Sequence, residues 1–125
     1  MNRNTFLSGM LALLATAAAA ADLQKIEWRD ARSEATFDVA ARKFAEWCGK
    51  LAKGEKVEWQ FEASGPVDFN VHYHEGKNVN FPEKRAAIAA ATGTLEVPVD
   101  QDYCWMWSNT STNATVVRAR LKKLP

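Results

Sequence analysis

The sequence predicts an all-β fold, an antiparallel β-sandwich of about seven or eight strands with one inter-strand disulfide. Three observations predict it. Apolar residues after residue 35 recur with a period of two rather than 3.6. The alternating runs are short and separated by turn residues at the spacing of a small sandwich. Cysteines number two, Cys48 and Cys104, an even count in a chain that begins like an exported one.

The clearest strand is Lys56 to Ala63, where Val57, Trp59 and Phe61 alternate with charged or polar residues. Asp68 to His74 repeats the pattern, with Val67, Phe69, Val71 and Tyr73 on one face and Asp68, Asn70, His72 and His74 on the other. Ala63-Ser64-Gly65-Pro66 between them is a turn signal, so two consecutive strands are expected. Gly93 to Val99, Tyr103 to Ser108 and Thr115 to Leu121 supply three later strands. Thr36 to Ala40 and Phe44 to Leu51 supply two earlier ones, with a turn at Lys50–Glu55. The Ala-rich stretch Glu83 to Ala91 fits either a helical turn or an irregular crossing.

Export is read from residues 1–21. Arg3 lies in a short polar n-region, Phe6 to Leu14 is apolar, and the alanines ending at Ala21 offer a small-residue cleavage site. The expected organisation is a signal peptide over 1–21, an N-terminal extension or loose strand over 22–34, and the sandwich over 35–125. No later stretch approaches the ~20 apolar residues of a membrane span. The expected location is the periplasm, or the medium after secretion. Sixteen basic and fifteen acidic residues balance almost completely, which argues against a nucleic-acid partner. The 104 residues left after cleavage make a thin core. A Cys48–Cys104 bridge, closing 55 intervening residues, would contribute about 4 kcal/mol on the chain-entropy model. The competing reading of the two thiols is a pair of metal ligands.

From Cys48 onward the order of features resembles the GOLD domain, the lumenal β-sandwich of Golgi cargo receptors. Cys48, the Gly54 turn and the Val57–Phe61 strand match its early part. Val67-Asp68-Phe69 matches a hydrophobic-Asp-hydrophobic segment, and Asp102-Tyr103-Cys104-Trp105-Met106-Trp107-Ser108-Asn109 its late strand. The resemblance implies a sandwich and a disulfide. The coiled coil and membrane span of the cargo receptors have no counterpart in these residues, so the trafficking role is not carried over.

The string Asp68 to Lys77 holds the residues best suited to chemistry. On a strand, His72 and His74 point to the same side about 7 Å apart. A His-x-His pair offers two imidazoles to one ion, and with Glu75 it forms a candidate copper or zinc site. The plain alternative places both imidazoles on the solvated face of an antiparallel sheet. With Asp68, Asn70 and Glu75 they then line a binding surface for a protein or a small polar ligand.

Tyr103-Cys104-Trp105-Met106-Trp107 is expected to pack its aromatics in the core with Trp59 and Phe61; the competing arrangement aims Cys104 and Met106 at a soft metal ion. Five Trp also leave sugar stacking open. Asn109-Thr110-Ser111 and Asn113-Ala114-Thr115 match the glycosylation pattern. Arg118, Arg120, Lys122 and Lys123 are expected on the wet face of an edge strand. The sequence has no Gly-x-Ser-x-Gly elbow, phosphate loop or His-Glu-x-x-His helix, and an enzyme is not expected. The function expected is that of an exported, non-catalytic binding module needing no cofactor. The alternative is a periplasmic copper or zinc binder using His72, His74 and Glu75.

Overall fold

The computed structural model describes residues 21–125. The signal-peptide expectation therefore lies, but for Ala21, outside the described residues. Seven strands follow in chain order: β1 (Asp22–Lys25), β2 (Arg32–Val39), β3 (Phe44–Leu51), β4 (Lys56–Glu75), β5 (Asn78–Glu96), β6 (Gln101–Ser108) and β7 (Thr115–Lys123). No helix long and apolar enough to cross a membrane occurs among the described residues. Residues 22–34, expected as an extension or loose strand, contain β1 and the first three residues of β2.

The sheet runs β1-β3-β6-β4-β7-β2, with β5 on the other edge of β4. All pairs are antiparallel except β1 with β3, which is parallel. β4 creates the two layers by changing neighbours. Its first half, Val57 to Ala63, pairs with β7, and its second, Asp68 to His72, pairs with β6. β5 follows it along both halves.

The turn expected at Ala63–Pro66 is thus a bend inside one continuous strand. Inward alternation runs on without a phase change through Phe61, Ala63, Gly65, Val67 and Phe69, so the chain gains nothing by reversing there. Pro66 has no N–H to give and falls where β4 is between partners, the position at which a strand tolerates it. Ser64 fastens the bend: its Oγ accepts the Val116 N–H at 2.9 Å and lies 2.9 Å from Thr115 Oγ1. The true reversal comes later, at Gly76, whose φ of 61° suits glycine.

Glu83 to Ala91, left between two readings by the sequence, lies within β5. It is irregular where β4 bends, for β4 advances from Glu62 to Val67 while β5 advances only from Ala90 to Ile88. Ala87 takes a φ of 51° beside this bulge, and its N–H donates to Asp68 Oδ1 at 3.0 Å.

The core is aromatic. Phe37 of β2 lies 5.1 Å from Trp107 of β6 and 5.8 Å from Trp47 of β3, ring to ring, which ties the two layers together. Phe69 packs beside them, with the rings of Trp59 and Phe61 at 4.8 and 4.7 Å from its own. Tyr103, Trp105 and Trp107 are fully buried, as the alternation of β6 requires. Sugar stacking loses four of its five tryptophan candidates accordingly, since Trp47, Trp59, Trp105 and Trp107 are interior. Trp28 is half-buried beneath the Lys123 ammonium, 4.5 Å from its ring. The Tyr103 hydroxyl donates to the Val99 carbonyl at 2.7 Å, anchoring the approach to β6.

Two other expectations change. β7 is not an edge strand but lies between β4 and β2; Arg118, Arg120 and Lys122 do face outward, interleaved with Glu34, Glu58 and Glu62 on the neighbours, whereas Lys123 falls on the opposite phase. Asn109, the first glycosylation candidate, is buried. Its Nδ2 donates to the carbonyls of Val39 (3.0 Å) and Asn113 (2.7 Å), and its Oδ1 accepts the Ser111 N–H at 3.0 Å. The amide that a glycan would need is holding the β6–β7 loop to the end of β2.

Two substitutions test this packing. A Cβ at Gly93 would run into the indole of Trp59, which is itself buried. Gly93→Ala is therefore expected to destabilise the fold by about 1–3 kcal/mol, measured by urea unfolding followed through tryptophan fluorescence. Asn109→Ala strands buried carbonyls and is expected to lose about 1–3 kcal/mol in the same measurement.

Candidate functional site

The outer face of the β3–β6–β4 layer carries the candidate residues in two rows. Pairing places Glu46 beside Met106 and Met106 beside Asn70. The next row runs Cys48, Cys104, His72. Cys48 and Cys104 form the disulfide, joining neighbouring strands of one layer, with Cα atoms 4.1 Å apart. The bridge therefore staples β3 to β6 on the outside and does not hold the two layers together; the aromatic core does that.

His72 sits deepest, at 5% exposure, despite its outward position on β4. A second bulge explains its cover. Between Val71 and Tyr73 the register with β5 slips, bringing the Phe81 ring to 6.0 Å from the imidazole. His74 stands edge-on to it at 5.3 Å between ring centres. Asn70 Oδ1 accepts a hydrogen bond from His72 Nδ1 at 2.7 Å. The other nitrogen, Nε2, faces Glu46 Oε1 at 3.6 Å. Burial pushes the His72 pKa below its ordinary value; the Glu46 carboxylate opposes this and His74 reinforces it.

The predicted residues thus separate by role. Asn70 and His72 form one unit, with His74 against its edge. Asp68 is engaged with the β5 bulge, and Glu75 is exposed at the end of β4, beside the Gly76 turn. Among the described residues the structure brings together one set of three metal-type ligand atoms within 4.8 Å, from Glu46, Cys48 and Cys104. His72, His74 and Glu75 do not converge in this way. Met106 lies beside the cysteines on the outer face and Trp105 and Trp107 point inward, as the core arrangement of this segment required.

Glu46, Phe81 and Lys84 join the site without having been singled out in the sequence. Glu46 is two residues before Cys48 and so shares its face. Phe81 is 46% exposed and Val79 40%, both near the turn of the β4–β5 hairpin, and the Lys84 ammonium rests 4.8 Å above the Phe81 ring. On the other layer, two shallow grooves of about 260 and 360 Å³ flank Arg120. They run among interleaved charges of both signs, away from His72.

No protein-family model matches this chain, and no curated protein matches it at a significant level. Solved structures do. The periplasmic g-type lysozyme inhibitor PliG of Aeromonas hydrophila superposes with a TM-score of 0.61 at 10% identity, over 84% of this chain and 100% of that one. PliG of Salmonella Typhimurium gives 0.59 at 12% identity, over 82% and 99%. The pre-peptidase C-terminal domain of Bacillus anthracis collagenase gives 0.56 at 6%, over 82% and 97%. These likenesses establish the β-sandwich. The sandwich and the disulfide that the GOLD resemblance implied are present, but the likeness extends to the architecture and not to the GOLD family itself.

A pH prediction follows from His72. Its pKa is lower in the folded chain than in the unfolded one, so the unfolded state takes up the proton first on acidification. The stabilisation from burying a neutral imidazole is full above about pH 6.5 and declines as pH falls below it. Unfolding free energies at pH 7.5 and 5 are expected to differ less in His72→Gln than in the wild-type chain. An equal pH dependence in both would place the titrating group elsewhere.

Proposed function

We propose that this chain is an exported, non-catalytic module that holds a protein partner against the His72 face and the adjoining end of the β4–β5 hairpin. The observation that carries this reading is the pair of exposed apolar side chains, Phe81 and Val79, standing beside His72, His74 and Lys84. An aromatic anchor flanked by cationic and imidazole groups is the composition from which binding hot spots are made. A rigid hairpin presents it, so little ordering is needed on binding. Export is supported by the residue 1–21 pattern and by the disulfide, a bond that persists in oxidising compartments. The shared architecture with periplasmic lysozyme inhibitors supports a protein as the partner class and makes a g-type lysozyme the first to try. The alternative metal reading at His72, His74 and Glu75 has no comparable support, because their ligand atoms do not converge within 4.8 Å as those of Glu46, Cys48 and Cys104 do.

The test is calorimetric titration of the chain with a g-type lysozyme, together with the rate of cell-wall lysis. Binding is expected with loss of lysis, and Phe81→Ala is expected to weaken it by about 2 kcal/mol or roughly thirtyfold. Lysis and heat signals unchanged by the chain would remove this partner. Binding that is indifferent to Phe81→Ala and to His74→Ala would remove this surface.

A further inference from the structure

The Cys48–Cys104 disulfide is placed where a ligand set would be assembled if it were open. Both sulfurs and a carboxylate oxygen of Glu46 lie within 4.8 Å of one another. His72 occupies the next position in the same row, directly beside Cys104, with its ring nitrogens outside that 4.8 Å set. Asn70 Oδ1 accepts a hydrogen bond from His72 Nδ1–H, which leaves the lone pair of the neutral ring on Nε2, and that nitrogen faces Glu46 Oε1 at 3.6 Å. Two acceptors thus face each other at a distance too long for a hydrogen bond, an arrangement that a cation between them would satisfy. Fixing one ring nitrogen so that the other can ligate is how metal-binding histidines are oriented. Both cysteines are only half-buried, so a reductant has access to the bond.

We propose that reduction of the Cys48–Cys104 bond converts this cluster into a zinc-class metal site formed by the two thiolates, His72 Nε2 and Glu46. The reductant is a dithiol. Its two sulfurs join in a disulfide while two electrons and two protons pass to Cys48 and Cys104, whose S–S bond breaks. The ion then displaces the two thiol protons to water and keeps its oxidation state throughout. With the two sulfurs released from each other and drawn towards His72 Nε2, two sulfurs, one nitrogen and one oxygen would supply the four ligands that Zn(II) takes. The set differs from the His72, His74 and Glu75 combination that the sequence pattern favours, and it exists only in the reduced chain.

The test titrates Zn(II), and Co(II) as its coloured substitute, into the purified chain before and after reduction by a phosphine, with near-ultraviolet circular dichroism recorded in each state. The reduced chain is expected to take up one ion with submicromolar affinity and to give a thiolate-to-cobalt absorption band. The oxidised chain and the Cys48→Ser/Cys104→Ser double variant are expected to show neither. His72→Ala and Glu46→Gln are each expected to weaken uptake by about tenfold or more. No uptake by the reduced chain, or equal uptake by the oxidised one, would overturn the proposal. So would uptake insensitive to His72→Ala and Glu46→Gln, which would mean that thiols of an unfolded chain bind the ion. If reduction alone abolishes the near-ultraviolet signal, the proposal requires Zn(II) to restore it, and failure to do so counts against it.

Discussion

β4 has one edge to give to the rest of the sheet, and it gives it twice, to β7 over Val57–Ala63 and to β6 over Asp68–His72. The two layers therefore share a strand instead of merely facing each other, and the bend at Ser64–Val67 sets the angle at which they close. The position of every other element follows from that bend. β5 must kink with it, which is why Ala87 adopts a left-handed conformation and why Asp68 is occupied in satisfying its N–H. The aromatic rings of β2, β3, β4 and β6 meet in the space the bend encloses. Burying rings of this size contributes about 1.5–3 kcal/mol each before conformational entropy is set against it.

The same geometry explains why the His72 face is suited to recognition. The bulge between Val71 and Tyr73 lets β5 lean over an outward-facing imidazole, so one side chain of an otherwise solvated surface becomes buried without joining the core. A buried polar side chain at a surface needs a partner, and His72 finds one in Asn70 on its own strand, with Glu46 two strands away facing its other nitrogen at 3.6 Å. Rigid polar groups and exposed apolar ones then stand side by side on elements fixed by the sheet.

Much of the fold was legible in the alternation of residues. Val57, Trp59 and Phe61, the Tyr103–Trp107 stripe and the Val117–Leu121 stripe all face inward as their period demands. What periodicity carries is the face of each residue, not its neighbour. Ser64-Gly65-Pro66 has the composition of a turn, and only the unbroken phase from Phe61 to Phe69 distinguishes a bend from a reversal. The order of strands sets which outer-face residues meet, so Glu46 and Phe81 could not be assigned to His72 from spacing alone. Asp68 was readable as outward-facing, but its engagement with Ala87 depends on a bulge in a strand whose own sequence is ambiguous. Asn109 matched a surface motif while its amide was needed inside, because a local pattern says nothing of burial.

β7 lies between β2 and β4, and β2 pairs with nothing else among the described residues. Half of the sandwich is therefore assembled around the seventh strand in chain order. Until residues 115–123 are available, β2 has no hydrogen-bonding neighbour, Phe37 has no layer to hold in place, and the first half of β4 has one bare edge. The β1–β3, β3–β6, β4–β6 and β4–β5 pairings need nothing from β7, whereas β2 must wait for a partner far along the chain, the kind of long-range pairing that makes folding slow.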